Sequence, residues 1–170
     1  MLKDVRFRLP LTLVVSLLVH TTVMPEIRIA GVMPDVMLLL AVAAGLEGGP
    51  MYGALMGFAS GMLADLVLAT PLGLSSLVFT VVGYAVGVTK GGLLRDTWWF
   101  PVLVAFAASS AGVGLFALAA SVIGETHVLN GHLTTIMLVV AVTNGILAPA
   151  MVRLVRWSMA GRHLIRAFAE

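Results

Sequence analysis

Residues 50–65 read PMYGALMGFASGMLAD and contain the clearest pattern in the chain, a glycine at every fourth position followed by a carboxylate. This spacing places Gly53, Gly57, Gly61 and Asp65 on nearly one face of a helix. Small residues in such a row form a groove that lets another helix backbone approach closely. We therefore predict a helix over residues 50–69 with a glycine-lined face.

The rest of the chain shares the apolar character of this stretch. Of its 170 residues, 60% are apolar and 11% are charged, whereas soluble domains have about 45–50% and about 25%. A water-soluble globular domain is excluded, and so is a transmembrane β-barrel, whose strands alternate apolar and polar residues. Charged residues divide the chain into six uncharged stretches, residues 9–25, 36–46, 48–64, 66–89, 97–124 and 126–152.

These stretches predict an all-α polytopic membrane protein with a single domain over residues 1–170. The six predicted transmembrane helices cover residues 9–23, 34–46, 50–69, 72–90, 98–124 and 132–157, and a cytoplasmic tail follows over 158–170. A bilayer core of about 30 Å needs roughly 20 helical residues, so the second helix is short. Either residues 27–33 add membrane-embedded backbone, or neighbouring helices bury this helix.

The basic residues predict the topology. Nine of the ten Lys and Arg fall before the first helix, between the fourth and fifth, or after the sixth, and only Arg28 falls on the opposite side. The positive-inside rule then places both termini in the cytoplasm. Because the basic residues are clustered at helix ends, nucleic acid is not an expected partner.

A second glycine row on the fourth helix, with Gly83 and Gly87, repeats the pattern of the third. Two such faces on consecutive antiparallel helices leave two alternatives open. Either the third and fourth helices pack on each other, or their glycines form an interface for a partner helix.

Four polar residues are candidates for a functional or structural role: Asp35, Glu47, Asp65 and Asn144. Asp65 is the strongest candidate, because a carboxylate inside an apolar helix is costly. It either takes part in function, accepts hydrogen bonds from the start of the fourth helix near residues 73–75, or pairs with Arg28. Asn144 is expected to join helices by hydrogen bonds.

No motif in the sequence predicts catalysis, a cofactor or a metal site. The chain has no cysteine, and Glu125, His127 and His132 have spacings that fit no common ligand pattern. Nucleotide-binding and zinc motifs are absent from the sequence. We therefore expect a protein that is not an enzyme.

The order of these elements resembles the MreD family of bacterial rod shape-determining membrane proteins. The resemblance covers about residues 34–156. It rests on Pro34-Asp35, the turn at 47–50, the Gly53 to Asp65 row, Pro71-Leu72-Gly73, Gly83-Tyr84, and Asn144 through Pro149 followed by arginines.

The resemblance implies a non-enzymatic scaffold of the elongation complex that binds MreC directly and, through the complex, MreB, RodA and the elongation transpeptidase. It also implies a compact bundle like the substrate-binding subunits of energy-coupling-factor transporters. A vitamin-transporter subunit is therefore the alternative, although the first helix lacks the Ala-x-x-x-Ala pattern of those subunits. A homo-oligomer within the complex is also left open.

Overall fold

The computed structural model describes residues 5–29, 31–68, 71–89, 99–124 and 132–160. Over these residues the chain is all-helical and contains no β-strand. The helices are α1 (Val5–Leu18), α2 (Val36–Gly48), α3 (Pro50–Leu68), α4 (Leu74–Val88), α5 (Phe100–Val122) and α6 (Leu133–Met159). The predicted all-α fold is confirmed. The predicted helix ends at residues 69, 90 and 98 lie outside the described residues, and the other ends differ from the observed ones by a few residues. The predicted Glu125 and His127 loop and the tail from residue 161 lie outside the described residues.

The first helix is longer than its regular α-helical part. After Leu18 the chain continues through a π-helical turn, Val19–Val23, and a 3-10 turn, Met24–Glu26. Together they give an apolar span of 20 residues, Phe7–Glu26. His20 lies in the π-helical turn and is therefore inside this span.

Within the described ranges, four helical segments are long and apolar enough to cross a membrane: Phe7–Glu26, Pro50–Leu68, Phe100–Val122 and Leu133–Met159. The other two helices are shorter. With 13 residues in α2 and 15 in α4, they extend about 20 and 22 Å at 1.5 Å per residue. That length is less than the bilayer core, so six full crossings stay a prediction.

Helix α2 lies at the centre of the bundle. Residues 36–46 are all buried, and α2 packs against α1, α3, α4, α5 and α6. A helix that is apolar on all sides is either buried among other helices or exposed to lipid, and α2 is buried among other helices. Of the two alternatives for this short helix, burial by its neighbours is the one observed.

Glycines with positive φ shape the turns on either side of α3. Gly49, at φ 85°, reverses the chain between α2 and α3, and Gly73, at φ 95°, precedes α4. Residues with a Cβ rarely adopt this left-handed region. These turns fold α2, α3 and α4 back on one another and bring their glycines together.

Candidate functional site

The glycine rows of α3 and α4 face each other. A Cβ on Gly57 would lie 2.6 Å from the carbonyl carbon of Phe79, and one on Gly61 would lie 2.6 Å from that of Ser75. Both distances are far below an ordinary carbon–carbon contact of about 3.5–4.0 Å. The two helices therefore touch backbone to backbone along this face, and no space is left for a partner helix.

The same contact continues to a third helix. A Cβ on Gly53 would lie 2.7 Å from the carbonyl carbon of Gly83 and 2.8 Å from the Cα of Gly45 in α2. A Cβ on Gly87 would overlap the backbone of Gly49 and Pro50. An internal α2–α3–α4 contact therefore includes all five glycines of the two rows, Gly53, Gly57, Gly61, Gly83 and Gly87. This is the first of the two alternatives left open by the sequence.

Asp65 caps helix α4. Its carboxylate accepts hydrogen bonds from the backbone N–H groups of Gly73 at 2.8 Å, Ser75 at 3.1 Å and Ser76 at 3.4 Å. The first N–H groups of a helix have no partner within the helix and carry partial positive charge. A buried carboxylate at this position is therefore stabilised. Of the alternatives for Asp65, the hydrogen bonds to the start of α4 are observed.

A second polar contact joins the start of α2 to α5 and α6. The Asp35 carboxylate accepts from the N–H of Leu38 at 2.9 Å and so caps α2. The side-chain amide of Asn144 donates to the backbone carbonyl of Asp35 at 3.0 Å and to Ser109 Oγ at 2.9 Å. Asn144 and Ser109 are buried, and their hydrogen bonds hold three helices in register.

Charged side chains gather at the opposite end of α2. Arg156 Nη2 lies 2.8 Å from Glu47 Oε1, which links α2 to α6. Arg8 donates to the backbone carbonyl of Trp157 at 3.1 Å, and its guanidinium lies 5.0 Å from the centre of the Trp157 ring. The start of α1 and the end of α6 therefore lie together at this end.

A cavity of about 350 Å³ opens at the end of the bundle where α2 begins. Its walls are mainly apolar and come from residues 31–35 and from α2, α3, α4, α5 and α6. His20 and Asp35 both lie on it. His20 is 2% exposed, and neither of its ring nitrogens has a hydrogen-bond partner among the described residues.

A smaller apolar groove of about 200 Å³ lies between α4 and α5 on the outside of the bundle. It is lined by Leu77, Val78, Val81, Leu115, Leu118, Ala119 and Val122. Several of these side chains, Leu118 among them at 60% exposure, face outward. The groove is thus an apolar surface that the bundle itself does not fill.

Three residues of these contacts and of the cavity were not predicted from the sequence: His20, Ser109 and Gly45. His20 carried a usable signal, because an ionisable residue within an otherwise apolar span is unusual. Ser109 and Gly45 carried none, since small residues are frequent in every helix of this chain. Among the described residues no group of His, Asp and Glu could hold a metal ion.

These features define a compact helical integral membrane protein whose buried polar groups and glycines hold its helices together. The model of one protein family, described as rod shape-determining protein MreD, matches residues 3–158. The chain belongs to the MreD family and is a rod shape-determining membrane protein. No curated protein and no solved structure gives a significant match, so the likeness to energy-coupling-factor subunits stays a prediction.

Proposed function

We propose that this protein is a non-catalytic scaffold of the elongation complex in the bacterial inner membrane. It holds the transmembrane helix of MreC and, through the complex, couples MreB filaments to RodA and the elongation transpeptidase. The observation that carries the proposal is the closely packed α2–α3–α4 core, in which Gly53 and Gly83 meet backbone to backbone. A closely packed interior transmits displacement instead of absorbing it, as a scaffold requires.

The α4–α5 groove is the surface that we assign to the MreC helix. Its lining is entirely apolar, and its volume of about 200 Å³ accommodates one or two large side chains of a partner helix. In lipid, helices associate through van der Waals packing, because lipid and helix surfaces are equally apolar. A groove that a partner side chain fills better than a mobile acyl chain therefore favours association.

The charges at the bundle ends support cytoplasmic termini. The end of the bundle where α1 begins and α6 ends carries Arg8, Arg153 and Arg156. At the opposite end, Arg28 follows the first span. The positive-inside rule assigns the basic end to the cytoplasm. Fusions of a reporter that is active on only one side of the membrane, placed at each terminus, test this orientation.

Affinity purification from native membranes in mild detergent tests the proposed function. We expect MreC to co-purify with the unchanged protein and with Leu138→Trp, and its recovery to fall several-fold with Leu118→Trp. Leu138 is the matched control because it is also an outward-facing leucine, 53% exposed, on a different helix. Equal recovery with both variants would refute the groove assignment.

Mass spectrometry of the same sample separates the alternatives. Recovery of MreC, a protein with one transmembrane helix, supports the scaffold. Recovery of ATPase subunits together with a bound vitamin would overturn the scaffold in favour of transport. A defined homo-oligomer without MreC would overturn direct MreC binding while leaving self-association.

A further inference from the structure

A second apolar groove lies between α1 and α6 and has a volume of about 190 Å³. Its floor includes the buried Leu39 of α2, and its sides include Val15 of α1 and Ala150 and Leu154 of α6. Val15 and Ala150 are exposed, so this α1–α6 groove opens to the outside of the bundle. Every lining residue except Ser16 is apolar. The groove therefore suits an apolar chain.

The α1–α6 groove has the length of one acyl chain when it is followed along α1 to Arg8. Arg8, Val15 and Ser16 stand at positions i, i+7 and i+8, which lie on one face of a helix. Arg8 and the last groove residue of the π-helical turn, Val19, are eleven positions apart, or about 16 Å along a helix. One leaflet contributes about half of the bilayer core of about 30 Å. A chain that begins at Arg8 therefore ends near the middle of the bilayer.

Basic and aromatic side chains gather where this face of α1 begins. The Arg8 guanidinium lies 5.0 Å from the centre of the Trp157 ring. Arg153 is four residues before Trp157 on α6, so the two are neighbours on one helix face. Arg153 is exposed and forms no ion pair within the described part of the chain, whereas Arg156 pairs with Glu47. We refer to Arg8, Arg153 and Trp157 as the basic cluster.

The chemistry of the basic cluster selects an anionic phosphate. A planar guanidinium matches the geometry of phosphate oxygens, and tryptophan is enriched at the depth of lipid head groups. Basic sites between transmembrane helices bind anionic lipid head groups in this way. A zwitterionic head group brings a cation of its own next to Arg8 and Arg153, so it is less favourable. The positive charge beside an apolar groove of leaflet length is complementary to a lipid with an anionic head group.

We propose that an anionic phospholipid of the bilayer binds this site, with its phosphate at the basic cluster and one acyl chain in the α1–α6 groove. The lipid fills the space between α1 and α6 and so holds the first helix against the bundle. Because the lipid binds the folded protein, it also stabilises the fold. This site is separate from the α4–α5 groove assigned to MreC.

Native mass spectrometry of the purified full-length protein, released from detergent micelles, tests the proposal. The probes are dioleoyl phosphatidylglycerol and dioleoyl phosphatidylcholine, which have the same acyl chains and differ in head-group charge. We expect one phosphatidylglycerol to be retained at concentrations at least several-fold below those that phosphatidylcholine requires. Equal retention overturns the anionic head group. Glycerol phosphate has the charge without the chains, so its displacing the lipid at the same concentration would overturn the role of the groove.

Two arginine variants separate the site from a general attraction between charges. Arg153→Gln and Arg156→Gln each remove one positive charge from the same end of the bundle, but the Arg156 side chain is held by Glu47. A general attraction would weaken equally in both variants. We expect retention of phosphatidylglycerol to fall several-fold with Arg153→Gln and much less with Arg156→Gln. Equal losses would show a general attraction alone and overturn the site.

Two tryptophan variants test the groove. Ala150→Trp places a large side chain in the α1–α6 groove, whereas Ala111→Trp places the same side chain at an exposed position of α5, a helix that does not line it. We expect Ala150→Trp to reduce retention of phosphatidylglycerol several-fold and Ala111→Trp to leave it unchanged. Equal retention by the two variants would refute the groove as the chain site.

The unchanged protein provides a test that does not depend on how the variants fold. Phosphatidylglycerol with a diazirine on one acyl chain is photolysed with the protein in micelles, and the labelled residues are identified by mass spectrometry. We expect saturable labelling between Leu147 and Leu154 and at Val15, displaced by phosphatidylglycerol and several-fold less by phosphatidylcholine. Labelling spread evenly over the outward faces of α3, α4 and α5 as well would contradict a defined lipid site.

Discussion

Replacing Gly57 by alanine should separate α3 from α4. The added Cβ would lie 2.6 Å from the carbonyl carbon of Phe79 and 2.9 Å from the backbone nitrogen of Thr80. A normal contact needs about 3.5 Å, so the helices must move apart by roughly 1 Å. Both neighbours are backbone atoms and cannot rotate away as a flexible side chain can.

The expected cost follows from two opposing effects. Overpacking of a closely packed interior typically costs about 1–3 kcal/mol, and the rigid neighbours place Gly57→Ala near the upper end. The higher helix propensity of alanine offsets about 0.5–1 kcal/mol of this cost. The free energy of unfolding should therefore fall by about 2 kcal/mol.

Gly114→Ala is the matched control. A Cβ on Gly114 would meet only Met137 Cε, at an ordinary 3.6 Å, so this variant should gain about 0.5–1 kcal/mol from helix propensity. Reversible unfolding in mixed micelles with increasing dodecyl sulfate measures both free energies. If Gly57→Ala proves as stable as Gly114→Ala, the close contact of α3 with α4 is refuted.

Three further predictions concern the buried and terminal polar contacts. Asp65→Ala should destabilise the protein by roughly 2–3 kcal/mol in the same unfolding assay, since the N–H groups at the start of α4 lose a charged acceptor. A loss no larger than that of a surface substitution would contradict the cap. Asn144→Leu should cost about 1–2 kcal/mol because it breaks the link between helices. Thr143→Val should be nearly neutral, since within the described part of the chain the Thr143 hydroxyl bonds only to carbonyls of its own helix. Equal losses for Asn144→Leu and Thr143→Val would argue against the link. Arg156→Ala should lower the free energy of unfolding by less than about 1 kcal/mol. The Arg156 side chain is 68% exposed beside Glu47, and exposed ion pairs contribute little to stability. A large loss would show a structural role for this pair.

The helices could be predicted from the sequence because charged residues mark their ends. The length of the second helix also predicted its burial as one of two alternatives, since it is too short to cross the bilayer core. The cap of α4 by Asp65 was one of three alternatives, and it could be considered from the sequence because Asp65 and Gly73 are only eight positions apart.

The contacts that could not be predicted join residues far apart in the chain. Asn144 meets Ser109 across 35 positions, and Glu47 meets Arg156 across 109. Gly45 joins the glycine contact only because α2 lies between its neighbours. The direction in which His20 points depends on the packing of all the other helices, so its position in the chain does not reveal the cavity.

Site-directed disulfide cross-linking in native membranes tests the MreC assignment most directly, because the chain contains no cysteine of its own. Leu118→Cys and Leu138→Cys would each be combined with single cysteines scanned along the MreC transmembrane helix. We predict cross-links from Leu118→Cys at MreC positions spaced three and four residues apart, as one helix face requires, and none from Leu138→Cys. Cross-links from Leu138→Cys alone, or from neither position, would contradict the account.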